Sequence, residues 1–173
     1  MDTVEKALTE CCDDFSFMLR GRYEAVLKRL DRKPESKIEE AFLAGVVFLD
    51  YGNYIFDLYG YSEETFFGRM MAARPWVVKL TCQAPILEYR ADFLVEVVRD
   101  GGTVGSIVVE CDGHDFHERT KEQAQRDRQR DRKMTIAGYQ VMRFTGSEIY
   151  RSAGKCAHDL WSAIFEIALA TKK

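Results

Sequence analysis

The sequence predicts an α/β domain built on a mixed sheet, and three observations point there. Its centre, residues 76–111, holds three β-branched, apolar runs separated by turn signals. A polar helical stretch and one more strand-like run follow, and helical segments flank this core on both sides. The order reads helix, three strands, helix, strand, helix. At 173 residues and 46% hydrophobic content, the chain is long enough to bury a real core.

Taken in order, residues 2–32 are helical without a clean apolar stripe; "ALTECC" and "YEAVLKRL" fit one bent helix or two. Pro34 interrupts the pattern. Ser36 then stands as an N-cap with Glu39 three residues on, a capping-box signature ahead of "AFLAGVVFL". Gly52 and Gly60 bracket an aromatic-rich connection, and "FFGRMMAARP" fits no single element. "WVVKLTC" (76–82) reads as a strand ending before Pro85, followed by "YRADFLVEV" (89–97) and "TVGSIVVEC" (103–111). A polar helix from about Glu118 stops at Gly138 as its C′ residue. "YQVMRFT" (139–145) is a further strand. The segment from Ser147 to Ala170 is mainly helix, with Leu160, Trp161, Ile164, Ile167 and Ala168 as its apolar side.

Composition narrows the classes. No apolar run approaches the roughly 20 residues that a membrane span needs. The opening "MDTVEKALTECCDDF" is acidic, unlike a secretory signal, so a cytoplasmic location is expected. Five cysteines are an odd number without C-x-x-C spacing, which favours free thiols over a disulfide framework or a cysteine-bound zinc. A net charge of -3 does not advertise nucleic-acid binding, although a local basic patch would suffice for it.

The segment "EYRADFLVEVVRDGGTVGSIVVECDGHDFH" carries the chemistry. On its first strand Arg90, Asp92, Leu94 and Glu96 share one face; on the next, Ser106, Val108, Glu110 and Asp112 do. A three-residue loop, Asp100-Gly101-Gly102 with Gly102 left-handed, pairs Phe93 with Val109 and Val95 with Ile107. That register keeps the apolar face intact and sets Asp92 across from Glu110. Opposed carboxylates repel unless a cation or a proton lies between them. Arg90 is one candidate cation, and Mg²⁺ with its preference for carboxylate oxygens is the other. The pattern alone does not choose.

Two further features adjoin the hairpin. His114 and His117 follow a tight "CDG"; zinc would need a third ligand such as Asp112 or Glu110, whereas a proton-transfer or phosphate-facing role suits His117 without one. The helix "ERTKEQAQRDRQRDRK" carries seven basic residues between Arg119 and Lys133. A solvated, ion-paired face is the ordinary explanation. Yet Asp127, Arg128 and Asp131 fall at the helical spacing that faces the sheet, as expected for a helix bordering a polar cleft.

Together "SKIE" (36–39), "QAPILEYRADF" (83–93), "VVECDGHDFH" (108–117) and "RDRQRDRKMTIAGYQVMRFTGSEI" (126–149) resemble the PD-(D/E)XK, or restriction-endonuclease-like, nucleases. The nearest likeness is to the very-short-patch-repair-like group, which includes the domain of unknown function 559. The resemblance covers residues 34–170. It implies a nuclease domain over 34–173; residues 1–33 lie outside it as a helical extension, read as a dimerisation or a recognition element, and a homodimer is among the expectations. The implied core is helix, three strands, helix, strand.

Residue by residue, the resemblance implies that Glu39 is the family's helical glutamate and Asp92 its principal metal-binding aspartate. Glu110 is the first acid of the next strand. Asp112 stands where the wider superfamily has a lysine and the repair endonuclease a histidine, and His117 matches a second histidine. Gln83, Asp127, Arg130 and Arg143 match the surrounding polar pattern. The expected function is a Mg²⁺- or Mn²⁺-dependent endonuclease acting on DNA, with RNA not excluded. Asp92, Glu110 and Asp112 would hold the metal, Glu39 and His117 complete the catalytic set, and Arg90, Arg119, Arg126, Arg130 and Lys133 contact nucleic acid. Three rivals stand beside this reading: a catalytically dead binding module of the same fold, for which the missing lysine argues, an RNA nuclease, and a purely structural network that pairs the acids with Arg90 and the helix arginines.

Overall fold

A computed structural model describes residues 3–50, 75–113 and 121–170. The expected connection around Gly52 and Gly60, residues 66–74 and the helix start at Glu118 lie outside these. The described elements are α1 (Thr3–Arg29), α2 (Lys37–Leu49), β1 (Val77–Ile86), β2 (Tyr89–Arg99) and β3 (Gly102–Asp112). They are followed by α3 (Lys121–Ile136), β4 (Gln140–Thr145) and α4 (Gly146–Leu169). The sheet has the order β1-β2-β3-β4, antiparallel except for the parallel β3–β4 pair. This is the mixed α/β architecture expected, with a restriction-endonuclease-like core order.

Several boundaries differ for local reasons. The N-terminal segment is one continuous helix, and its end is tied into the core through Val26 and Leu30. β1 runs on through Pro85, which β1 tolerates as the edge strand because an edge position needs no second ladder donor. α3 ends as expected: Gly138 takes φ +92°, its N–H bonds Thr135 and that of Tyr139 bonds Met134. That crossed pair is a Schellman cap, which the absence of a Cβ permits. α4 opens one residue before Ser147, because Thr145 caps it. The Thr145 side chain accepts from the Glu148 N–H, and the Glu148 carboxylate accepts from the Thr145 N–H.

The β2–β3 turn is a correction. Asp100 (φ +52°) and Gly101 (φ +77°) form a two-residue turn, and Gly102 is already paired with Arg99. Left-handed angles at both central residues match the twist of a hairpin, so Asp-Gly wins over the longer loop. The spare residue is absorbed at a bulge between Val97 and Val98, which pair with Gly105 and Thr103. Beyond it Phe93 meets Val109 and Val95 meets Ile107, the expected register reached by a different route.

One face of the sheet packs on α2 and α4 around Phe42, Phe93, Ile107, Leu160 and Trp161. The helices approach closely at Gly45, where an added Cβ would stand 2.8 Å from the Ala153 carbonyl oxygen. Trp161 seals that contact by donating its indole N–H to the Val46 carbonyl at 3.1 Å. The other face carries a smaller cluster, Ala84, Ile86, Ala91 and Val108, capped by Met134 of α3. Glu110 of β3 follows Val108 of this cluster and meets Arg130 of α3.

Candidate active site

The site forms where the sheet loses its regularity. On β1, Cys82 belongs to the large cluster and Ala84 to the small one; on β2, Phe93 and Ala91 divide the same way. The changeover falls at Gln83 and Asp92, where the ladder skips a pair between Cys82↔Phe93 and Ala84↔Ala91. Gln83 has φ +50° although it is not glycine, a conformation that costs about 1–3 kcal/mol and persists only where its surroundings hold it. Those surroundings are specific. Its carbonyl accepts from Arg32 at 2.9 Å and its side chain donates to Glu39 at 2.7 Å.

Paired residues of β2 and β3 end at Phe93↔Val109. One step on, the Cys111 N–H donates to the Asp92 carboxylate at 2.7 Å. Asp92 is therefore drawn towards Glu110 and Asp112, as the register argument requires. β4 runs parallel alongside and places Arg143 beside Glu110.

Of the counter-charges considered from sequence, Arg90 and the helix arginines, it is a helix arginine that reaches the acids. Arg90 turns away and bonds Glu35 at 2.7 Å. Past Phe93 the strands no longer pair, so Arg90 is not held opposite Asp112. Arg130 of α3 supplies the charge instead, pairing with Glu110 and donating to the Arg90 carbonyl at 2.7 Å. Arg143 grips Asp131 with two nitrogens, at 2.7 and 3.2 Å, and approaches Asp112 at 3.5 Å. Glu39 is buried and satisfied by neutral donors: Ser36 Oγ at 2.8 Å, the Glu35 N–H at 2.9 Å and Gln83. Ser36 caps α2 as expected, but Glu39 reaches back to the Glu35 N–H and not to that of Ser36.

Burial dominates the electrostatics. It pushes the Glu110 carboxyl up to about 7, with Asp92 and Asp112 adding to the rise and Arg130 and Arg143 opposing it. Asp92 is also raised, first by burial and then by Glu39 and Asp112, against the Cys111 N–H and Arg130. The Cys111 thiol is pushed far up by burial and then by Asp92, so it is an inert neighbour and not a nucleophile.

Asp92 Oδ1 and Glu110 Oε2 accept no hydrogen bond from the described residues. Two desolvated carboxylates with one uncommitted oxygen each suit a hard divalent cation, which takes one or two protein carboxylates and fills its shell with water or phosphate. Among the described residues, no three His, Cys, Asp or Glu side chains are arranged to hold an ion. Asp112, the third expected ligand, is engaged by Arg143.

The remaining expected residues separate. His114, His117 and Arg119 lie outside the described residues. Arg126 is exposed. Lys133 pairs with Glu88 and lies 5.5 Å from the Tyr89 ring, which also carries the Arg130 guanidinium at 5.3 Å. Sequence reasoning did not find the Arg130–Glu110 and Arg143–Asp131 pairs. One signal was there: Asp127, Arg130, Asp131 and Met134, spaced i, i+3, i+4, i+7, are the less exposed side of α3.

A family model, REase_MTES_1575, describing a restriction-endonuclease-like family, matches residues 69–164. That stretch contains Asp92, Glu110, Asp112, Arg130 and Arg143, and begins after Glu39. No curated protein and no solved structure matches the chain.

Proposed function

Because the chain belongs to the restriction-endonuclease-like family REase_MTES_1575, we propose that it is a metal-dependent endonuclease that hydrolyses DNA. The observation that carries the reading is the pair Asp92 and Glu110, a half-buried and a buried carboxylate, both of raised pKa, on adjacent strands inside the matched stretch. Asp92 and Glu110 would hold Mg²⁺ or Mn²⁺, with Asp112 at the rim. When bound, the ion polarises a phosphoryl oxygen and lowers the pKa of an attached water.

The chain's own residues do the rest. Glu39 and Gln83 brace the β1–β2 irregularity that aims Asp92. His117 exchanges the proton with the attacking water or the leaving oxygen. Arg90, Arg119, Arg126 and Lys133 steady the nucleic-acid backbone, contacts that position without reading sequence. The motifs around Asp92, Glu110 and His117 also support a finer affinity with the very-short-patch-repair-like group.

Purified protein with Mg²⁺ or Mn²⁺ should nick plasmid DNA, and Asp92→Ala should lower the rate by at least about 10³-fold. Nicking that survives Asp92→Ala would overturn the assignment, and a matched RNA panel tells DNA from RNA. A second reading, a binding module of the same fold without catalysis, is favoured by Arg143 on Asp112 and Arg130 on Glu110. Calorimetry separates the two: a binding module takes up no Mn²⁺.

A further inference from the structure

We infer that Arg130 is a resident counter-cation for Glu110, a charge that a divalent ion must displace in order to bind. The inference rests on the nuclease reading of the site. Glu110 is 5% exposed, so its carboxylate cannot draw on bulk water for compensation and depends on whatever cation lies beside it. Arg143 lies nearby on β4, but the cation bonded to it is Arg130, whose Nη2 is shared between the Glu110 carboxylate and the Arg90 carbonyl. Its Nε is shut off from solvent and has no hydrogen-bond partner among the described residues. A guanidinium with one donor buried and unsatisfied is held mainly by attraction to its anion, not by a completed set of hydrogen bonds.

Arg143 makes the contrast. It spends two nitrogens on Asp131 in a fork that fixes it in place, and its approach to Asp112 is looser. Arg130 reaches the site from a helix on a long side chain, lying over Tyr89. It can swing away without moving β2 or β3, which carry the acids. A divalent cation on Glu110 would repel the guanidinium and compete for the same carboxylate. Exchange of one cation for the other is therefore possible at Arg130 and not at Arg143. The site then has two settings, closed by its own arginine or open to a metal.

The test is calorimetric titration of Mn²⁺ into the full chain and into Arg130→Gln and Arg130→Lys, at about pH 8.5, where carboxylates are ionised. Arg130→Gln should bind Mn²⁺ about tenfold tighter than wild type, a gain of about 1.4 kcal/mol. Arg130→Lys, which keeps the charge, should stay near wild type. Equal or weaker binding by Arg130→Gln, with wild type binding Mn²⁺ normally, overturns the exchange and leaves the nuclease reading standing. If none of the three binds Mn²⁺, both fall.

A second measurement needs no folded variant. The Arg130 Nε–H resonance of wild type, followed by ¹H–¹⁵N NMR, should shift as Mg²⁺ is added and saturate with Mg²⁺ binding. A resonance that stays put while Mg²⁺ binds overturns the inference.

Discussion

Glu110→Gln should stabilise the metal-free protein at alkaline pH. The Glu110 carboxyl is pushed from 4.5 to about 7 by burial, in spite of Arg130. An acid whose folded pKa lies above its unfolded one holds its proton more tightly in the folded state. Its ionisation therefore contributes nothing below about 4.5, weighs against folding progressively as pH rises to about 7, and is fully unfavourable above that. The difference between about 7 and 4.5, at about 1.36 kcal/mol per pH unit, comes to roughly 3 kcal/mol. Glutamine keeps the shape and an acceptor for Arg130 but cannot ionise. The variant should unfold roughly 6–12 °C higher than wild type at about pH 8 in EDTA, and at nearly the same temperature at about pH 4.5. Saturating Mn²⁺ should raise wild type and not the variant, because the ion binds the ionised pair. Thermal melts across this range decide it. A Glu110→Gln protein that melts lower at pH 8, or whose difference from wild type does not vary with pH, refutes the claim that burial outweighs Arg130 in setting the Glu110 charge.

The other expectations are local. Mn²⁺ affinity of wild type should fall about tenfold per pH unit below about 7, as each bound ion must displace the Glu110 proton; a flat profile by calorimetry counts against Glu110 as a ligand. Gly45→Ala should cost about 1–3 kcal/mol in urea unfolding, since the new methyl meets the Ala153 carbonyl oxygen at 2.8 Å and the helices must part. Thr145→Ala should cost about 1 kcal/mol through loss of the α4 cap, and Thr145→Ser should recover most of it.

Much of this was legible in the sequence because its causes are short-ranged. Alternation on β2 and β3 places Asp92, Glu110 and Asp112 on one face, and the preference for an unbroken apolar face sets Phe93 on Val109. Ser36 and Gly138 mark helix ends by their own backbone and side-chain chemistry. The turn was misjudged since two routes, a longer loop or a tight turn with a bulge, yield the same register. Pattern alone weighs faces, not turns.

What the sequence determined alone was therefore the order of elements, the register of the central hairpin and the gathering of three acids. Which group answers which acid was decided by tertiary structure. Glu110 meets Arg130 and Glu39 meets Gln83 because of how α3 and α2 dock on the sheet. Arg90 was the obvious partner in one dimension, yet the strands part beyond Phe93 and it turns to Glu35. Periodicity says which way a side chain faces; only packing says how far away its partner lies, and Coulomb energy depends on that distance.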